Sequence, residues 1–82
     1  MVTVKFFGLI SVDCDIRQLL VKEGTVRQVL NEIMQSRPNI SEQQLRQVIM
    51  FVNKQQISGN KRYSVALKDG DELALLSPVS GG

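Results

Sequence analysis

The sequence predicts an α+β fold: a mixed sheet of four to five strands, one main helix packed on one face, and a short second helix. Three stretches carry that prediction. Residues 2–7 alternate at period two, with Val2, Val4 and Phe6 on one side and Thr3, Lys5 and Phe7 on the other, the pattern of a half-buried strand. Val26, Val29, Leu30, Ile33 and Met34 recur at helical spacing, which gives one continuous apolar stripe. Residues 72–77 alternate again, Leu73 and Leu75 against Glu72, Ala74 and Leu76.

Each element follows from local chemistry. Gly8 closes the first strand with a turn, residues 9–15 read as irregular, and residues 16–21 read as a second strand, making an antiparallel hairpin with the first. Thr25 with Gln28 three residues on is a capping box that starts the main helix. Pro38 ends it, because the residue before a proline avoids helical angles. Ser41 and Gln44 repeat the cap, and Leu45, Val48 and Ile49 give a shorter stripe. A β-rich run starts at Met50-Phe51-Val52, read as core, and reaches Ile57. Ser58, Gly59 and Asn60 form a loop, and Lys61-Arg62 reads as solvated, with attraction of acidic residues on a partner as the alternative. Tyr63–Leu67 is open between a short edge strand and an irregular segment. Lys68-Asp69-Gly70-Asp71 is a turn in which glycine supplies the positive φ. The helical stripe needs one sheet face to cover it.

Composition narrows the function classes. With 82 residues the chain makes one domain. Its one cysteine, Cys14, has no internal partner for a disulfide, which fits a reducing compartment, and it reads as a small apolar filler. No apolar run approaches the roughly 20 residues of a membrane span, and no secretory signal opens the chain. These observations predict a cytoplasmic protein that does not engage membranes. Net charge is only +2 and the cations are scattered, so nucleic-acid binding is not expected. The chain contains no histidine and shows no metal-ligand pattern.

The last residues are the unusual ones. A domain over residues 1–76 is followed by an expected extended, flexible tail over residues 77–82, Ser-Pro-Val-Ser-Gly-Gly. Glycine has no Cβ to obstruct a narrow channel and accepts backbone angles that other residues refuse. Pro78 fixes φ and lowers the entropy lost when the tail is inserted elsewhere. Val79 is an apolar anchor. Phe7 and Leu76 share the face away from the helix if the first and last strands are neighbours, and together they predict an exposed apolar patch for docking a partner.

Three stretches resemble the MoaD/ThiS family of ubiquitin-like sulfur carriers: Val2-x-Val-Lys-Phe-Phe-Gly8, Phe51-Val52-Asn53, and Leu67-x-Asp-Gly-Asp-Glu-Leu-Ala-Leu-Leu-Ser-Pro-Val-Ser-Gly-Gly82. The chain is closest in length and tail to MoaD, the small subunit of molybdopterin synthase. It departs from that pattern at Ser77, where a proline is usual, and in residues 9–15, which lack a charged helical turn. The resemblance implies a β-grasp (ubiquitin-like) fold with the first and last strands paired.

It also implies a chemistry. A ubiquitin-activating-type enzyme of the MoeB/ThiF kind adenylates the Gly82 carboxylate with ATP. A sulfur donor, such as a cysteine desulfurase or rhodanese, converts it to a thiocarboxylate. Residues Pro78, Val79, Ser80, Gly81 and Gly82 then enter a MoaE-like large subunit. On this reading the chain binds no cofactor and acts as a carrier, with the catalytic machinery in its partners. Rival readings are a carrier for thiamin, for thiolated tRNA or for cysteine synthesis, a modifier attached to lysines, and an interaction module with an inert tail.

Overall fold

Residues 1–78 of the 82 are described in the computed structural model. In chain order the elements are β1 (Val2–Gly8), α1 (Leu9–Asp13), β2 (Gln18–Val21), β3 (Gly24–Thr25), α2 (Val26–Ser36), α3 (Glu42–Gln47), β4 (Ile49–Val52), β5 (Gln55–Ile57), a 3-10 helix (Asn60–Ser64), β6 (Ala66–Leu67) and β7 (Glu72–Ser77). Five strands form one mixed sheet in the order β2-β1-β7-β4-β5. β1 and β7 run parallel side by side, and every other neighbouring pair is antiparallel. The first and last strands are therefore neighbours, as expected.

The core lies between this sheet and α2. Val2, Val4 and Phe6 of β1, Leu73 and Leu75 of β7, and Met50 of β4 are buried on one sheet face. Val26, Val29, Leu30 and Ile33 of α2 close over them. Each such side chain contributes about 1.5–3 kcal/mol relative to leaving it in water. Both capping boxes form. The Gln28 N–H donates to Thr25 Oγ1 at 3.2 Å and the Thr25 N–H to Gln28 Oε1 at 2.9 Å. Ser41 and Gln44 do the same at the start of α3, at 3.1 and 2.9 Å.

Several segments differ from the sequence expectation. Residues 9–13 form α1 instead of an irregular stretch. Five residues with no side-chain cap are too few to hold a helix by propensity; Ile10, 2% exposed, pins this one to the core. The strand expected over 16–21 starts at Gln18, because Asp15 turns at φ 50° and Ile16 points into the core. The run expected over 50–57 is a hairpin, broken at Asn53 and Lys54, which both have positive φ. Of the Met50-Phe51-Val52 run, Met50 is fully buried while Phe51 and Val52 are half-buried. Tyr63 and Ser64 end a 3-10 helix, and Ala66–Leu67 is a short strand paired with Gly24–Thr25. Arg62, read as solvated, is half-buried and tied to backbone carbonyls. Cys14 is buried, as a filler would be. No helix among the described residues is long and apolar enough to cross a membrane.

Candidate functional site

The parallel β1–β7 pairing decides which side chains meet at the exit of the tail. Register places Phe7 opposite Leu76 and Gly8 opposite Ser77. On the far side of β7, Ile49 of β4 is opposite Leu76. Period-two alternation then puts Phe7, Leu76 and Ile49 in one row on the sheet face that α2 does not cover. Lys5, Ala74 and Phe51 form the next row. Phe7 is 47% exposed, and Leu76 and Ile49 are half-buried. Lys5 Nζ lies 3.0 Å from Glu72 Oε1 beside this apolar row. Both side chains of that pair are partly solvated, so it contributes about 0.2–1 kcal/mol.

The apolar surface continues onto α1. Leu9 and Val12 are 42% and 77% exposed. With Phe7, Lys5, Arg17 and Gln18 they line an open groove of about 500 Å³. Sequence reasoning missed Leu9 and Val12 because residues 9–15 read as irregular. Their i, i+3 spacing directly after Gly8 is the signal that could have found them.

Gly8 and Ser77 meet more closely than any side chain would permit. Gly8 has φ 78° and ψ −150°, and a Cβ on it would stand 2.3 Å from the Ser77 carbonyl oxygen. β7 thus stays paired with β1 through Ser77, and Pro78 follows, exposed. Val79, Ser80, Gly81 and Gly82 lie outside the described residues.

The start of β7 is fixed by a second group. The Asn53 side-chain amide donates to Asp71 Oδ1 at 3.1 Å, and the Glu72 N–H donates to Asn53 Oδ1 at 3.0 Å. The Lys68 N–H donates to Asp71 Oδ2 at 2.8 Å. The Lys68 N–H first, then the Asn53 amide, hold the Asp71 carboxyl below its ordinary value. Asn53 and the Asp-Gly-Asp-Glu turn, distant in sequence, are one structural unit that fixes the strand leading to the tail. Among the described residues no group of three His, Cys, Asp or Glu side chains is gathered to hold a metal ion.

A five-stranded mixed sheet with a parallel central pair, wrapped on one long helix, defines a ubiquitin-like β-grasp protein. The ThiS family model matches residues 4–82, and the chain belongs to the ThiS family. A search of curated proteins found no match. Among solved structures the chain is similar to SAMP1 from Haloferax volcanii, with 23% identity and a TM-score of 0.77 over 99% of this chain and 98% of that one. It is similar to a chain in the BexX/CysO complex of Amycolatopsis orientalis, with 24% identity and a TM-score of 0.74 over 100% of both. It is also similar to a chain in the complex of subunits 1 and 2 of the molybdopterin-converting factor of Helicobacter pylori. There the identity is 28% and the TM-score 0.68, over 99% of this chain and 97% of that one. The comparisons thus define a ThiS-family protein with the fold shared by these structures.

Proposed function

We propose that this chain is a sulfur carrier whose Gly82 carboxylate is adenylated and then converted to a thiocarboxylate, and that it serves as the small subunit of a molybdopterin synthase. The observation that carries the reading is the family match, which runs through the final Gly81-Gly82. The likeness to the molybdopterin-converting factor of Helicobacter pylori supports the choice of pathway.

A carboxylate is a poor electrophile. Its oxygen attacks the α-phosphorus of ATP, pyrophosphate leaves, and the resulting acyl-adenylate has a good leaving group. The terminal sulfur of a persulfide on the donor protein adds to the acyl carbon and AMP departs. A thiol of the donor or activating protein then attacks the donor-side sulfur of the resulting S–S bond, forming a disulfide there and releasing the Gly82 thiocarboxylate. An adenylating enzyme supplies the site for the first step, and a MoaE-like large subunit consumes the sulfur. This chain contributes reach and docking. Pro78 keeps the tail extended from the end of β7, Ser80, Gly81 and Gly82 are slim enough to enter a channel, and Val79 anchors by apolar burial. Phe7 and Leu76, side by side at the tail exit, form the docking surface.

The experiment is intact mass spectrometry of the chain after incubation with an adenylating partner, ATP and a sulfur donor. Full-length protein gains the mass difference of sulfur replacing oxygen and supports molybdopterin formation by a large subunit; a variant lacking Gly82 does neither yet stays folded. Full activity in the Gly82 deletion overturns the mechanism. Thiocarboxylate that no MoaE-like subunit consumes assigns the sulfur to another pathway, and adducts on lysines of cellular proteins mark a modifier.

A further inference from the structure

The helical layer carries a second surface. Leu30 and Met34 of α2 and Tyr63 of the 3-10 helix floor a groove of about 520 Å³, and Arg27, Arg46 and Arg62 rim it. The Arg62 guanidinium is fixed in place. It donates to the Val48 and Arg46 carbonyls, both at 2.8 Å, and to the Tyr63 hydroxyl at 3.0 Å. The guanidinium carbons of Arg62 and Arg27 lie 5.0 and 5.6 Å from the centre of the Tyr63 ring. Among the described residues, neither guanidinium has a carboxylate within the 4.0 Å of an ion pair. Only Arg46 has one, Glu42 at 3.5 Å.

Three guanidinium groups thus face one carboxylate around an apolar floor. Gathering like charges costs free energy in the isolated chain, and an arriving anion recovers it. Guanidinium forks match carboxylates in bidentate geometry, and the floor of Leu30, Met34 and Tyr63 takes an apolar side chain. We propose that this groove docks an acidic segment of a partner protein, in which glutamates or aspartates flank one large apolar residue. A nucleic acid fits less well. The cations are few, Glu42 lies among them, and the one aromatic ring is already flanked by guanidinium groups instead of open for stacking. No residue of the groove belongs to the five-stranded sheet or to the Phe7–Leu76 row. A partner held here leaves the tail exit free, so one protein can retain the carrier while another works on its tail.

The test is a titration of isotope-labelled full-length chain, followed by amide NMR shifts, with three probes. They are a synthetic glutamate-rich peptide with a central leucine, its lysine counterpart, and a single-stranded oligouridylate. The acidic peptide is expected to shift amides of α2, α3 and residues 60–64, and to bind more weakly as salt rises from about 20 to 200 mM. Arg27→Glu combined with Arg46→Glu weakens that binding by about tenfold or more and leaves adenylation at Gly82 unchanged. Arg62 is left intact because it holds the end of α3. The proposal is overturned if the acidic peptide gives no shifts up to about 1 mM, if its shifts map to the Phe7–Leu76 face, or if the double variant binds it equally well. Tighter binding of the oligouridylate, or self-association of the chain through this groove, also overturns it.

Discussion

Gly8 combines φ 78° with ψ −150°, a region open in practice only to glycine, and leaves no room for a methyl group against the Ser77 carbonyl. Either constraint alone penalises an L-residue, and left-handed backbone costs about 1–2 kcal/mol by itself. Gly8→Ala is therefore expected to lose about 2 kcal/mol or more and to lower adenylation at Gly82, because the last β1–β7 pair must open. Semisynthetic protein with D-alanine at position 8 separates the causes. The mirror image of this backbone is an ordinary extended conformation, and the D-methyl points to the other side of the chain. Denaturant midpoints close to wild type for D-alanine, with loss for L-alanine, are the expected pair of results. Asp71 acts at the other end of β7. Its folded pKa is lowered from the ordinary 3.8, so it stabilises the fold above that value, and the contribution disappears as pH falls through the folded pKa. Urea unfolding from pH 6 down to about 2.5 is expected to show a steeper acid-side loss in wild type than in Asp71→Asn.

At the scale of elements, patterns long enough to outvote local chemistry were legible in the sequence. Val26, Val29, Leu30 and Ile33 of the α2 stripe are buried while Met34 at its end is half-buried, both capping boxes close, and β1 and β7 alternate as read. What escaped were elements that exist only because of tertiary contact. α1 has no cap and is held by the burial of Ile10, and the two-residue strand β3 carries no period at all, while its partner β6 is one of the two readings open for Tyr63–Leu67. Of the candidate site, alternation put Phe7 and Leu76 on one face once the family resemblance supplied the β1–β7 pairing, and the register adds that the two are direct neighbours. The arginine groove was hidden because Arg27, Arg46 and Arg62 come from three separate elements and converge only in the fold. The β4–β5 hairpin was missed for a different reason: its turn is Asn53-Lys54, without the glycine that usually signals one. Both residues have positive φ, 49° and 72°, the requirement of a two-residue primed turn. Asn53 also bonds Asp71 and Glu72, while Lys54 is simply strained. Lys54→Gly is expected to stabilise the domain by about 0.5–1 kcal/mol, read as a shift in urea midpoint at constant slope.

Over the whole molecule, the pleat of β7 separates the buried core row from the outward row proposed for docking at single-residue intervals. Leu75 is fully buried against α2, and Leu76, one residue on, faces outward beside Phe7. A domain of this size has a net stability of only about 4–12 kcal/mol, so the inner row cannot lose much. Leu75→Ala is expected to cost about 2–5 kcal/mol, by lost transfer energy plus the cavity it leaves. Adenylation of whatever fraction of that variant remains folded should be near normal. Phe7→Asp with Leu76→Asp removes apolar surface that is already partly in water, so it is expected to cost about 1 kcal/mol or less per site. On the proposed docking role it puts two carboxylates at the apolar contact with the partner, so the KM for adenylation should rise by about tenfold or more. Circular dichroism melts and adenylation kinetics on both variants measure the two axes separately. An unchanged KM in a folded Phe7/Leu76 double variant removes the docking role from the outer row. The β1–β7 pair would then serve only to present Pro78 and the residues after it.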